Sequence, residues 1–237
     1  IDYVVRINSK SILDCGCGRG IMLDHLKNRG WSVCGTEIDS VLVDALKSKG
    51  IDVFETDSVS SLGNKPRFKV VSLFHVLEHL SNPKVELGYI YNLLEDDGLL
   101  VVEVPNLGSF QAKISRGKWF HLDVPRHISH FELKTLKALV ESTGFEICSI
   151  TTHSWEYGYF GLLQSLQNIL SSDGQSNAFY NNLHVNKGKS INNRKNLVFG
   201  LILSFILLPI VFVLESIFSL VGRGGALRLV AKKREIK

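Results

Sequence analysis

Two short helical patterns end alike, in KNRG at 27–30 and KSKG at 47–50, and each runs at once into an apolar strand. A glycine at a helix C-terminus takes the left-handed turn that stops the helix. A strand that follows directly then returns parallel to the one before it, through a right-handed crossover. The repeat dictates consecutive β-α-β units: strand 11–15, helix 21–29, strand 31–37, helix 40–49 and strand 51–55. Lys69 to Phe74 (KVVSLF) continues as a fourth strand, apolar nearly throughout because helices cover both faces of such a sheet. After Pro83, Leu87, Ile90, Tyr91 and Leu94 recur at helical spacing. A turn at Asp96, Asp97 and Gly98 starts a fifth strand, 99–104, and Ser129 with Glu132 spells a capping box opening a helix to about Thr143. Strands at 145–150 and 226–231 complete the pattern. The expected fold is α/β, a doubly wound Rossmann-like sheet with a helical, apolar insertion before the last strand. The segments read as a core over 1–154, the insertion over 155–222, and the final strand with a basic tail over 223–237.

The stretch LDCGCGRG, 13–20, lies where the first strand hands over to the first helix. Ligands of open α/β sheets bind at that edge, and glycines there let the backbone turn sharply and approach a ligand closely. The spacing of Gly16, Gly18 and Gly20 is G-x-G-x-G, whereas a dinucleotide fingerprint is G-x-G-x-x-G. Asp14 suits a cationic ligand better than a pyrophosphate, and Glu37, ending the second strand, can accept hydrogen bonds from both ribose hydroxyls of a nucleoside. A thiol or zinc site lacks partners. C-x-C offers two ligands, Cys34 and Cys148 sit in other strands, and tetrahedral zinc takes four. Cys15 and Cys17 read as small hydrophobes.

These segments, with VCGTEID, FKVVSLFHVLEHLSNP and LLEDDGLLVVEVPN, resemble the class I S-adenosylmethionine-dependent methyltransferases, near the ubiquinone-biosynthesis O-methyltransferases and those found beside bacterial surface-glycan genes. The resemblance implies S-adenosyl-L-methionine as cofactor. It implies that Asp14, Gly16, Cys17, Gly18 and Gly20 surround its methionine part, that Glu37 binds the ribose and that Ile38 packs near the adenine. Asp57 and Ser58 fall at the other adenine position, without the family's common G-D-A spelling, and Phe74 and His75 line the pocket. His75, Glu78 and His79 spell H-x-x-E-H, where a related E-x-x-E-H turn has been linked to a divalent metal; with His75 in place of the first acid, no metal is expected. Glu78 and His79 read equally as functional groups or as holders of the turn.

A second cluster, KWFHLDVPRHISHF at 118–131, combines apolar walls (Trp119, Phe120, Phe131) with His121, Asp123, Arg126, His127 and His130. Methyl transfer needs the acceptor aligned and its proton taken up, and imidazole titrates near neutrality. His127 is the first candidate base and His79 the second, the alternative for His127 being a loop-anchoring role.

The net charge of +4 is spread too evenly to call for nucleic acid, and no nucleic-acid partner is expected. Four cysteines make no disulfide framework, so the expected compartment is the cytoplasm. Residues 197–214, LVFGLILSFILLPIVFVL, carry no charge and are flanked by basic residues on both sides. Pro209 is expected to break or kink a helix there. Both ends must return to one sheet, which points to a re-entrant or in-plane helical hairpin contacting the inner face of a membrane through 197–221, aided by 155–170. A soluble cap or an oligomer interface is the alternative. The acceptor is then a small molecule or a lipid-linked one, a glycan or quinone precursor. A nicotinamide-dependent oxidoreductase and a decayed scaffold protein are the rival functions.

Overall fold

Residues 10–63, 67–170 and 194–234 are described by the computed structural model. By contact density the chain divides into two units, Ile1–Val104 with Lys134–Ile150 and Leu229–Lys237, and Pro105–Leu133 with Thr151–Arg228. These units do not follow the segment boundaries read from the sequence, because 105–133 groups with the insertion.

The first unit carries the sheet, apart from the strand ends Pro105, Thr151 and Ala226–Arg228, which fall in the second. Its strands are β1 (Ser11–Cys15), β2 (Ser32–Glu37), β3 (Asp52–Glu55), β4 (Phe68–Phe74), β5 (Leu94–Pro105), β6 (Phe145–Thr151) and β7 (Ala226–Lys233), in the order β3-β2-β1-β4-β5-β7-β6. The strands from β3 to β5 pair in parallel, with Leu13 opposite both Cys34 and Val71, and β7 runs antiparallel. Helices α1 (Ile21–Lys27), α2 (Ser40–Ser48) and α3 (Pro83–Leu93) connect them. Asp39 caps α2, accepting from the N–H groups of Val41 and Leu42. Leu23 and Leu26 of α1 and Val43 and Leu46 of α2, each pair three residues apart, pack with Ile12, Val53 and Val70 of the sheet. The doubly wound reading therefore holds.

Two local expectations change. The turn at Asp96–Gly98 lies inside β5 as a bulge: Phe68 pairs with Leu94 and Val70 with Leu99, so two steps along β4 match five along β5. The bulge carries Asp96 to Arg67 at 2.7 Å and Asp97 to Lys69. The helix expected to open at Ser129 begins later, as α5 (Leu133–Ser142), following α4 (Phe110–Ser115) in chain order. Phe131 is held in a bridge with Asn106, where its carbonyl accepts from Leu107 N–H at 2.9 Å, so the helix starts beyond it.

The second unit holds α4, α6 (Phe160–Leu170) and α7 (Arg194–Leu220). Leu162 and Leu163 of α6 pack on Val211 of α7, with Tyr159, Leu207, Leu214 and Phe218 around them. The expected break at Pro209 does not occur, and 194–220 is one helix rather than a hairpin. Proline forfeits one backbone hydrogen bond, but Pro209 is exposed, and anchors on either side keep the helix continuous: Gln167 donates to Ser204 Oγ before it, and Val211 is buried after it.

Candidate functional site

The chain reverses its direction of growth across the sheet between β1 and β4, and such a switch point leaves a crevice at the carboxyl ends of the strands. There the glycine loop is tied to β2. Gly16 N–H donates to Thr36 Oγ1 at 3.1 Å, Cys17 N–H to the Thr36 carbonyl at 2.8 Å, and Gly18 N–H to Glu37 Oε2 at 2.8 Å. Gly16 has φ 63°, and a Cβ added there would lie 2.6 Å from Val76 Cγ2, so neither the turn nor the space admits a side chain. A Cβ at Gly18 would meet nothing within 4 Å, which leaves the loop open on that side.

Two buried acids flank the loop. Glu37 Oε1 accepts from the N–H groups of Ile38 at 2.8 Å and Asp39 at 3.0 Å, so with Gly18 three backbone N–H groups of the strand end and loop fix one carboxylate. Asp14 accepts from Ser72 Oγ at 2.7 Å, and burial pushes its carboxyl up to about 7, with the Ser72 bond pulling it only partly back. Burial also drives the Cys17 thiol up to about 12, with the charges of Asp14 and Glu37 adding to it, and holds Cys15 well above the usual thiol range. Both thiols stay protonated and inert. Cys17 Sγ fills the space that a side chain at Gly35 would need.

Ile38 presents an exposed apolar side chain beside Glu37. Asp57 is exposed, while the Ser58 hydroxyl donates to Glu86 and accepts from Ser60 N–H. Phe74 ends β4 half-buried. Next to it His75 has φ 55°, with Nδ1 3.3 Å from Glu78 Oε1 and Nε2 3.3 Å from Glu103 Oε1. Burial alone would lower the imidazole pKa, but the bonds to Glu103 and Glu78 outweigh it and the net shift is upward. His79 is exposed on the short helical turn Leu77–His79.

Whereas His79 and Glu78 belong to the first unit, His127 belongs to the second. His127 Nδ1 donates to the His121 carbonyl at 2.7 Å, which assigns the neutral ring its proton on Nδ1 and its lone pair on Nε2. Asp123 Oδ2 lies 3.9 Å from that Nε2. His121 is buried and reaches the Tyr157 carbonyl from Nε2 at 3.0 Å; a Cβ at Gly161 would collide with it. His130 bonds the Leu122 carbonyl at 2.8 Å.

The methyltransferase domain family matches residues 3–150, more than half of the chain. The chain belongs to that family. It is a class I S-adenosylmethionine-dependent methyltransferase, the group its motifs resemble, and S-adenosylmethionine is the family's methyl donor. Among curated relatives, a ubiquinone biosynthesis O-methyltransferase of Glaesserella parasuis serovar 5 is 29% identical over 108 residues, 41% of this chain and 46% of that protein. A protein of the same name from Pseudomonas entomophila is 27% identical over 105 residues, 41% and 45% of the two chains. The matched stretches thus span under half of these relatives. A solved S-adenosylmethionine-dependent methyltransferase from Archaeoglobus fulgidus superposes with a TM-score of 0.61 at 22% identity, over 98% of this chain and 90% of that one, a likeness of fold.

The methyltransferase loop suits its family's cofactor in chemistry. Two buried acids suit a cationic ligand, one of them is a carboxylate oriented by backbone N–H groups, and Ile38 beside it offers an exposed apolar surface. Two residues of this edge escaped the sequence reading, Ser72 and Glu103. Each is the one uncharged-polar or acidic interruption of an apolar strand, VVSLF or LLVVEVP, and that interruption was the available signal.

Proposed function

We propose that this chain transfers a methyl group from S-adenosylmethionine to a hydroxyl of a membrane-associated acceptor of glycan or quinone type, at the inner face of the membrane. The observation that carries it is the Glu37 carboxylate, fixed by three backbone N–H groups against an open glycine loop with a second buried acid behind it. The O-methylation named for the curated relatives supports an oxygen acceptor.

Bound S-adenosylmethionine supplies an electrophilic methyl carbon on a sulfonium. Asp14, Gly16, Cys17, Gly18 and Gly20 hold the methionine part, and Glu37 accepts from the ribose hydroxyls. Ile38 covers the adenine with Asp57 and Ser58 beside it, while Phe74 and His75 close the pocket wall. His127 Nε2 takes the acceptor's hydroxyl proton, and Asp123 steadies the imidazolium that results. His79 is the alternative base, with Glu78 as the buried group next to it.

Calorimetric titration with S-adenosylmethionine and, separately, with NADH tests the reading. Saturable binding of the first alone is expected. Binding of NADH would return the oxidoreductase, and binding of neither would mean a decayed site.

A further inference from the structure

Helix α7 is amphipathic in reverse. From Leu201 to Val221 every exposed residue is apolar, Phe205 at 81% and Leu220 at 86% among them. Every polar side chain of that span faces its own unit. Ser204 Oγ accepts from Gln167 at 2.8 Å, and Glu215 accepts from Gly225 N–H at 2.7 Å and from Gln111 at 3.3 Å. Ser216 meets the Tyr159 hydroxyl at 3.1 Å, and the Ser219 hydroxyl donates to the Thr152 carbonyl at 3.5 Å. Water does not select an outward face of this kind.

We propose that α7 docks the chain on an anionic lipid leaflet, lying in the plane of the membrane along its whole apolar length. The geometry rests on the helix alone, while its purpose, bringing the enzyme to a membrane-borne acceptor, rests on the function proposed above.

Four observations select this occupant. The span Gly200–Leu220 contains an 18-residue window with a mean hydropathy of 2.6, in the range of lipid-embedded segments. Anchors at Ser204, Val211, Glu215 and Ser219 hold the helix to the folded unit from Ser204 to Ser219. A crossing would therefore drag Gln167, Gln111 and their backbone partners into hydrocarbon, where each unmatched polar group costs several kcal/mol. In-plane seating leaves that polar side in the protein and gives only the outer face to lipid. The face also carries no polar group to set the register of a protein partner, where interfaces of comparable size carry several hydrogen bonds. Finally, exposed Arg223 follows the helix at its end, suiting anionic headgroups. Exposed Trp155 stacks on Tyr159 at 5.0 Å, and Tyr159 stacks on Phe212 at 5.5 Å, which extends the face with aromatic rings of the kind that favour the headgroup boundary.

The test uses the purified full chain and vesicles of phosphatidylcholine with phosphatidylglycerol. Wild type should sediment with them, and Trp155 fluorescence should shift to the blue; the other two tryptophans, Trp31 and Trp119, are already buried. Phe205→Asp with Ile206→Asp should lower partitioning on the order of 100-fold, the loss of two apolar side chains from lipid, while S-adenosylmethionine affinity stays at the wild-type value. That affinity reports separately on the proposed function. A wild-type chain that stays in the supernatant overturns the docking. So does a dimer in light scattering that the double variant converts to monomer, which would make a second copy the occupant.

Discussion

Cofactor binding should release a proton from Asp14. The side chain is 6% exposed, its hydrogen bond from Ser72 spans 2.7 Å, and burial raises the carboxyl from 3.8 to about 7. A ligand bearing a sulfonium and an ammonium favours the ionised acid, so protonated chains must lose a proton to bind. An acid with a pKa of about 7 is about nine-tenths protonated at pH 6 and about one-tenth at pH 8. If only the ionised form binds, the apparent affinity falls about tenfold between pH 8 and pH 6, about 1.4 kcal/mol. Calorimetry at pH 7 in two buffers of different ionisation enthalpy should show about half a proton leaving per cofactor bound. The sign for stability is opposite to that of a salt-bridged carboxylate. The folded value lies above the unfolded one, so the contribution is fully present below the unfolded value of 3.8 and is lost as pH rises through about 7. Burial likewise raises Glu215, in the other unit, to about 7, its bonds from Gly225 and Gln111 offsetting this only in part; it titrates in the same window, so Asp14→Asn is the control that isolates the effect. That variant should bind more weakly at pH 8 and show no slope. Equal wild-type affinity at pH 6 and pH 8, with no proton released, would refute a contact between Asp14 and the cofactor's charge.

Glu37→Ala should weaken S-adenosylmethionine binding by about 2 kcal/mol through lost charge-assisted hydrogen bonds, and also loosen Gly18, Ile38 and Asp39, whose N–H groups lose their acceptor. An unchanged calorimetric affinity would remove Glu37 from the ribose position. His127→Ala should cut transfer of labelled methyl into a membrane lipid extract by about 100-fold or more while leaving cofactor affinity at the wild-type value; turnover that persists would place the base elsewhere or dispense with one.

The geometry of the glycine loop was legible because its signals are local. A glycine that must adopt φ 63° and an acid at the end of a strand each announce themselves within a few residues. Pairings over long distances in sequence were not legible. Nothing near Phe131 tells that it will bridge to Asn106 and delay α5, and nothing near Asp96 and Asp97 tells that they will lie in a bulge facing Arg67 and Lys69. His75 lies between these cases. Its motif with Glu78 was visible, but the second carboxylate comes from Glu103, 28 residues on, through the pairing of β4 with β5.

Hydrophobicity alone points to a hairpin in the apolar run, whereas the phase of its small and polar residues points to one continuous helix. Gly200, Ser204, Val211 and Glu215 follow one another at steps of four, seven and four, a spacing that lines one face of a helix. A helix broken at Pro209 would have no reason to keep Ser204 and Glu215 in phase across the break. In the structure they are in phase, one holding Gln167 and the other Gln111 and Gly225. The small and polar residues of a hydrophobic stretch therefore mark its protein side, and the proline, with no N–H to donate, sits on the exposed side.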